Sequence, residues 1–422
     1  MKNQTQSSPD PKPPNEYTLR AWKTIFGAFL SLFCSVGFIN SFGVFQEYYL
    51  EHELKDESES TVAWLGGVSI FFILFGSVVS GSLMDLFGPT VILCVGSLGT
   101  VFSVMMASLC HEFWQFMLAQ GILMGICMSL LVVPMVALVG QYIKVKRAAA
   151  IGIVIAGSSL GGVVWPIVIN ELLKNDSLGF GWTMRIVGFI MIPLLSLTCI
   201  FCRPAPVTTP SDNEAAPPET KLPQQRRPDF SVLKKPTVRF SCLGFFIIYF
   251  GMFSPFFFTT SYAVSQGFSA DLAFYTVSIV NGASMFGRII PGIIADRYGR
   301  FNLCILATFL SGVIALCWTK ATTVAGLVVW SAAYGFTSGA ILSLQQVCAV
   351  QIATPQTAGL TAGAVMAASS FSAMASVPIS GELAGSYGFL SLSLYSGVSL
   401  IVGSCLLLLA RFAQDKRLLA VV

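Results

Sequence analysis

An arginine stands in the middle of an apolar run, "NGASMFGRIIPG", residues 281–292. At mid-span in a bilayer a guanidinium costs at least about 2.5–3.5 kcal/mol on insertion scales, so Arg288 persists there only beside a watery cavity or a partner. Its fork of N–H donors fits a carboxylate through two parallel hydrogen bonds, which makes an anionic small molecule its natural counter-ion. Asn40, Asn281, Gln120 and Gln345 are further polar residues inside apolar segments. They can line a cavity or simply hydrogen-bond between helices. A second kind of chemistry sits in two acid-bearing turns, "GSLMDLFG" from Gly81 to Gly88 and "GIIADRYGR" from Gly292 to Arg300. Their glycines permit tight turns and close helix approach. Asp85 and Asp296 can cap a helix N-terminus or pair with basic groups nearby.

Nothing in this set transforms a substrate. No nucleophile is paired with a base at depth, so the chain does not read as an enzyme. The two histidines, His52 and His111, fall in short loops, and most of the 11 cysteines lie in apolar runs, where Cys behaves as a small hydrophobe. Cys199 and Cys202 form a CxxC at the end of an apolar helix without a second pair or His nearby, which argues against zinc. No metal and no cofactor is expected. The absence of a G-x-x-x-x-G-K-[ST] sequence disfavours an ATP-driven pump, and the chain has no basic face for nucleic acid.

The elements that position these residues must be membrane helices. With 55% hydrophobic residues and a mean hydropathy of +0.75, the chain has too little polar surface to coat a water-soluble globule. A crossing of ~30 Å needs about 20 apolar residues. That ruler finds twelve spans, near 25–46, 62–84, 90–109, 114–139, 148–170, 183–202, 239–261, 272–294, 302–319, 323–347, 358–380 and 389–411. Arg288 is the only ionisable residue deep within any of them. The stretch 203–238 is rich in Pro, charge and small polar residues, and reads as a hydrophilic linker between two six-helix halves. The expected organisation is an N-terminal tail (1–24), a first half (25–202), the linker (203–238), a second half (239–411) and a C-terminal tail (412–422).

Of the 24 Lys and Arg, 19 fall in the 144–147 and 297–300 turns or in the two tails and the linker, with Arg239 and Arg411 at the adjoining helix ends counted among them. The bias sets both termini and the linker in the cytoplasm, and a multi-pass protein of the plasma membrane is expected. A sequon at Asn175 then lies outside, close to the bilayer. The halves are repeats: Asp85 and Asp296 stand 211 residues apart, and "GSSLGGVVWP" from Gly157 aligns with "ASSFSAMASVP" from Ala368 at the same shift. This is the trace of two parallel halves related by an axis along the membrane normal.

These residues carry a resemblance. The two turns are similar to the helix 2 to 3 signature of the major facilitator superfamily; the second copy is complete, and the first lacks basic residues at Leu86 and Pro89. The resemblance implies that Gly81, Asp85, Gly88, Gly292, Asp296, Arg297, Gly299 and Arg300 latch the halves in an outward-open state, as conformational residues rather than substrate ligands. "QYIKVKRAAAIGIVIAGSSLGG", residues 141–162, resembles the helix 5 signature of the monocarboxylate porter family at Tyr142, Lys146, Arg147, Ala150, Gly152, Ala156 and Gly157. Its small residues are expected to pack helix 5 against a helix of the other half. In that register Asn40 replaces a lysine that engages substrate and proton in animal carriers. Arg288 falls where the family keeps an intramembrane arginine, and Ser284 replaces an acid one turn before it. "NSFGVF" and "NGASMFGRIIPG" look like the fungal branch.

The resemblance implies an all-α secondary transporter of twelve transmembrane helices that works by alternating access. Arg288, Asn40, Asn281, Ser284 and Gln120 are the expected substrate-binding residues. The reading taken is export of an organic-acid-like secondary metabolite by a monomer, with the lipid bilayer and an anionic small molecule as partners. Proton-coupled uptake or release of a monocarboxylate is the alternative, weakened by the missing lysine and acid. A transport-dead receptor is the remote alternative.

Overall fold

The computed structural model describes residues 17–144, 146–175, 177–204, 230–352 and 358–417. Residues 1–16 of the expected N-terminal tail, 205–229 of the linker and 418–422 of the C-terminal tail lie outside the described residues. Among the described residues the chain is all-helical, without a strand. The apolar runs leave little choice, because in lipid every backbone N–H and C=O must be satisfied within its own segment.

The first half contains α1 (Leu19–Glu51), α2 (Glu59–Phe87), α3 (Pro89–Ala107), α4 (Phe113–Tyr142), α5 (Arg147–Leu173) and α6 (Gly179–Phe201). The second contains α7 (Pro236–Ser265), α8 (Ala270–Tyr298), α9 (Arg300–Leu316) and α10 (Val324–Gln351), followed by a run over Ala358–Phe412. That run breaks at Gly388, whose φ of 78° only glycine adopts without strain, and so forms α11 (358–387) and α12 (389–412). The twelve expected spans are therefore all present. One boundary differs in a way that matters: α1 continues to Glu51 rather than ending near 46, and carries Glu47 and Glu51 at its C-terminal end. Hydropathy stops at the edge of the hydrocarbon, whereas the helix continues past it.

The repeat is visible in the caps. Ser58 and Ser269 open α2 and α8 by accepting from the amides of Thr61 and Leu272, and both helices run 29 residues. Gly88 (φ 79°) and Gly299 (φ 95°) close them, and each of these pairs is 211 apart. The first helix of each half departs from this register. Trp165 Nε1 donates to the Phe33 carbonyl at 2.9 Å, and its repeat mate Ser376 donates to Phe250 at 2.6 Å. Phe33 and Phe250 are 217 apart. The extra residues are shared between the longer C-terminal end of α1 and the α1–α2 loop, where insertions are tolerated.

Large exposed apolar side chains run down α3 (Leu98, Phe102), α6 (Phe189, Ile200), α9 (Leu306, Phe309) and α12 (Leu394, Val398). These four helices face lipid. Among the others, α5 with α8 and α2 with α11 form the two main seams between the halves. Helices near the seams are interrupted: α1 at Ser35 and again beyond Asn40, α7 at Phe253, and α4 by a π-helical stretch, Met117–Leu123. Such breaks release backbone groups and mark binding regions in transporters.

Candidate substrate site at the seam between α5 and α8

Arg288 lies on α8 and is buried, 1% exposed. Its Nη1 donates across the seam to the Ile155 carbonyl of α5 at 2.7 Å and to Ser158 Oγ. Its Nε has no hydrogen-bond partner, and no described carboxylate forms an ion pair with it. The guanidinium is thus held by neutral acceptors alone. Tyr249 of α7 lies nearby. Tyr249 in turn donates to Gln345 Oε1 of α10 at 2.6 Å, and Gln345 Nε2 donates to Ser369 Oγ of α11 at 3.3 Å.

Two turns along the seam, Asn40 of α1 donates to the Ser158 carbonyl at 3.3 Å and to Asn281 Oδ1 at 3.4 Å. Both halves therefore contribute to one polar cluster of Asn40, Ser158, Asn281 and Arg288. Glycine makes the approach possible. A Cβ on Gly162 would lie 2.6 Å from Asn281 Oδ1, one on Gly292 would lie 2.8 Å from the Ala148 carbonyl, and one on Gly152 would strike the Arg288 carbonyl.

Two expected site residues lie elsewhere. Ser284 is buried against α10, where its Oγ would be 2.8 Å from a Cβ on Gly339 and has no hydrogen-bond partner. Gln120, in the π-helical stretch of α4, accepts from Tyr49 of α1 at 2.6 Å within the first half. Neither side chain forms a described hydrogen bond with Arg288 in this arrangement. Ser158 and Tyr249 are the members that sequence reasoning left out of the site. Ser158 was visible only as part of the repeated "GSSLGGVVWP" stretch, a signal that does not say which helix it meets.

At the end of the same seam, Asp296 accepts from the backbone amides of Ala148 (3.4 Å) and Ala149 (3.2 Å) in the first turn of α5. It also pairs with Arg300 at 3.2 Å. A carboxylate on free N–H groups at a helix N-terminus is favourable for charge and for hydrogen bonding. Arg297 is exposed. In the first turn Gly88 supplies the positive φ, but a Cβ on Gly81 would meet open space, unlike its repeat mate Gly292. The side chain of Asp85 lies outside the described residues.

The helix 5 signature divides by face. Gly152 packs on α8 of the other half, as expected, but Gly157 packs on the Phe29 carbonyl of α1, within its own half. Five residues turn a helix through roughly 500°, so the two cannot share a partner. Tyr142 donates to the carbonyls of Arg203 and Pro204, at 3.1 and 3.2 Å, and fixes the start of the linker. Arg147 lies against Gly140, while Lys146 is exposed.

A family model described as the Major Facilitator Superfamily matches residues 28–376. The chain is 45% identical over 409 residues to the agnestins efflux protein AgnL12 of Paecilomyces divaricatus, covering 97% of this chain and 91% of that one. It is 39% identical over 401 residues to the aspyridones efflux protein apdF of Emericella nidulans, with coverage of 94% and 79%. It is 38% identical over 405 residues to the MFS-type transporter opdF of Penicillium oxalicum, with coverage of 95% and 92%. Likeness of this kind spans both halves and both copies of the turn, and on it the chain belongs to the major facilitator superfamily.

Proposed function

We propose that this transporter exports an acidic secondary metabolite from the cytoplasm, with Arg288 as the group that recognises its negative charge. The observation that carries the reading is a buried guanidinium whose described hydrogen bonds go only to neutral acceptors and whose Nε has none. A buried charge without an ion-pair partner is costly, and a substrate carboxylate compensates it. Relatives named for the efflux of agnestins and of aspyridones support export of such a product.

In the proposed cycle, a substrate carboxylate takes the Arg288 donors that Ile155 and Ser158 hold in its absence. That exchange loosens the grip of α8 on α5, so binding energy goes into parting the seam. Asp296, on the first-turn amides of α5, closes the cytoplasmic end of the same helix pair when the empty carrier resets. Asn40 and Asn281 supply neutral donors and acceptors to the rest of the ligand. Gln120 and Ser284 come to the substrate only if helices rotate between states.

The proposal takes the sequence-based organisation with it: halves at 25–202 and 239–411, a cytoplasmic linker at 203–238 and cytoplasmic tails at 1–24 and 412–422. The protein works as a monomer in the plasma membrane and lies within the superfamily near the fungal branch of the monocarboxylate porters. Any coupled proton rides on the substrate carboxylate or on a group outside the central cluster. The deciding experiment is transport in liposomes by the purified protein over a panel of aromatic and aliphatic acids and their methyl esters. Acids should move and esters should not; equal transport of an acid and its ester would overturn the reading.

A further inference from the structure

A groove of about 410 Å³ runs along the outside of the second half, between the start of α7 and α11. Its floor is Ala364 and Ala368 of α11, and its wall is Arg239, Cys242, Leu243 and Phe246 of α7. From Arg239 to Phe246 is seven residues, roughly 10 Å along the helix, so the groove reaches from the membrane edge into the hydrocarbon. Its mouth is basic. Lys234 and Lys235 precede α7 and are exposed, as is Arg239, and none of the three forms an ion pair with a described residue. The short 3₁₀ turn carrying them, Phe230–Lys234, is anchored by Val232, which is buried. The segment 226–239, "RRPDFSVLKKPTVR", holds one acid, Asp229, among its basic residues.

We propose that this groove binds an anionic phospholipid. Lys234, Lys235 and Arg239 take the headgroup phosphate, and one acyl chain lies along Leu243 and Phe246 over the two alanines. Charge complementarity selects the occupant: anionic lipids concentrate in the cytoplasmic leaflet, where the proposed orientation puts the start of α7. An apolar trough at hydrocarbon depth is filled by the chain that is already there. The site also bears on transport. Ala364 adjoins Gly363, which packs on Val78 of α2, and Phe371, which packs on Phe71, lies three residues beyond Ala368. A lipid seated on α11 therefore presses on a helix of the second seam.

The test is native mass spectrometry of the full-length protein titrated with dioleoyl phosphatidylserine and dioleoyl phosphatidylcholine. The wild type is expected to prefer phosphatidylserine. Arg239→Gln should reduce that preference roughly fivefold, and Lys234→Gln/Lys235→Gln/Arg239→Gln should abolish it, at about fivefold per charge. Short-chain dihexanoyl phosphatidylserine, with the same headgroup, should bind at least tenfold more weakly. Equal binding of the two dioleoyl lipids, a triple variant that keeps the preference, or a short-chain lipid that binds as tightly would each overturn the site. Failure here leaves the substrate reading standing, because neither lipid assay involves Arg288.

Discussion

The two seams that join the halves are made from repeat-related helices, yet they differ in kind. In α5–α8, Gly152 lets the Arg288 backbone come into contact, and the side chains there are Arg288, Asn281, Asn40 and Ser158. In α2–α11 the mate of Gly152 is Gly363, whose Cβ would stand a comfortable 3.4 Å from Val78 Cα. The mates of Arg288 and Asn281 are Ser77 and Ile70. The Ser77 side chain bonds its own helix, at the Ile73 carbonyl (2.9 Å), and at the exposed edge of the seam Phe371 meets Phe71 and Phe75, at 5.3 and 6.0 Å. Duplication kept the small residue that lets the halves meet and let the chemistry diverge. Under the proposed function, the α5–α8 seam alone reads the charged end of the ligand, while the other supplies an apolar bearing surface.

The largest break in this comparison should come from Arg288. Arg288→Ala, at unchanged expression and insertion, should lower transport of a carboxylate substrate in liposomes by about 100-fold, from losing charged hydrogen bonds. Arg288→Lys should recover only part of it, because a point charge cannot form the two-bond clamp. The matched Ser77→Ala should stay within twofold. If Arg288→Ala transports at the wild-type rate, the polar seam has no recognition role.

Next come the paired glycines. Gly152→Ala pushes a methyl into a backbone carbonyl, an overpacking of about 1–3 kcal/mol, and should cut turnover roughly tenfold and lower the unfolding temperature. Gly363→Ala should be close to neutral in both assays. Equal effects would mean that the seams are packed alike.

Asp296→Asn keeps an acceptor on the α5 amides and loses the charge that favours them. Turnover should fall several-fold while substrate affinity, measured by equilibrium binding, stays within twofold. Lost affinity with normal turnover would contradict a conformational role. The smallest effect is expected at the apolar seam: Phe371→Leu removes aromatic pairing of about 0.5–1.5 kcal/mol and should slow transport by less than threefold without changing which acids are carried.

Much of the fold was legible because its signals are local. Apolar length gives the spans, and the glycines at 88 and 299 give the turns. The 217-residue register of α1 and α7 was not legible, since loop length outside the membrane leaves no mark on hydropathy. The site was legible only in part. Arg288 announces itself because a buried charge in a span is expensive, and Asn40 and Asn281 because they are polar in apolar runs. Ser284 looked equivalent by position, yet faces Gly339 of α10.

Sequence alone determined that this chain crosses the membrane in twelve helices, that it is a repeat, and that one guanidinium must find a partner at depth. These follow from solvation and from spacing along one helix, which residue order fixes directly. Only tertiary structure decided who meets Arg288. Ile155 and Ser158 are 133 and 130 residues away, and Asn40 reaches Asn281 across 241. Serines are common in this chain, and hydropathy treats them alike. What distinguishes Ser158 is the rotation of α5 against α8, set by the glycines at 152, 162 and 292. The physical reason is that helix–helix contact in lipid is chosen by close packing rather than by a hydrophobic driving force, and packing is a property of two surfaces at once.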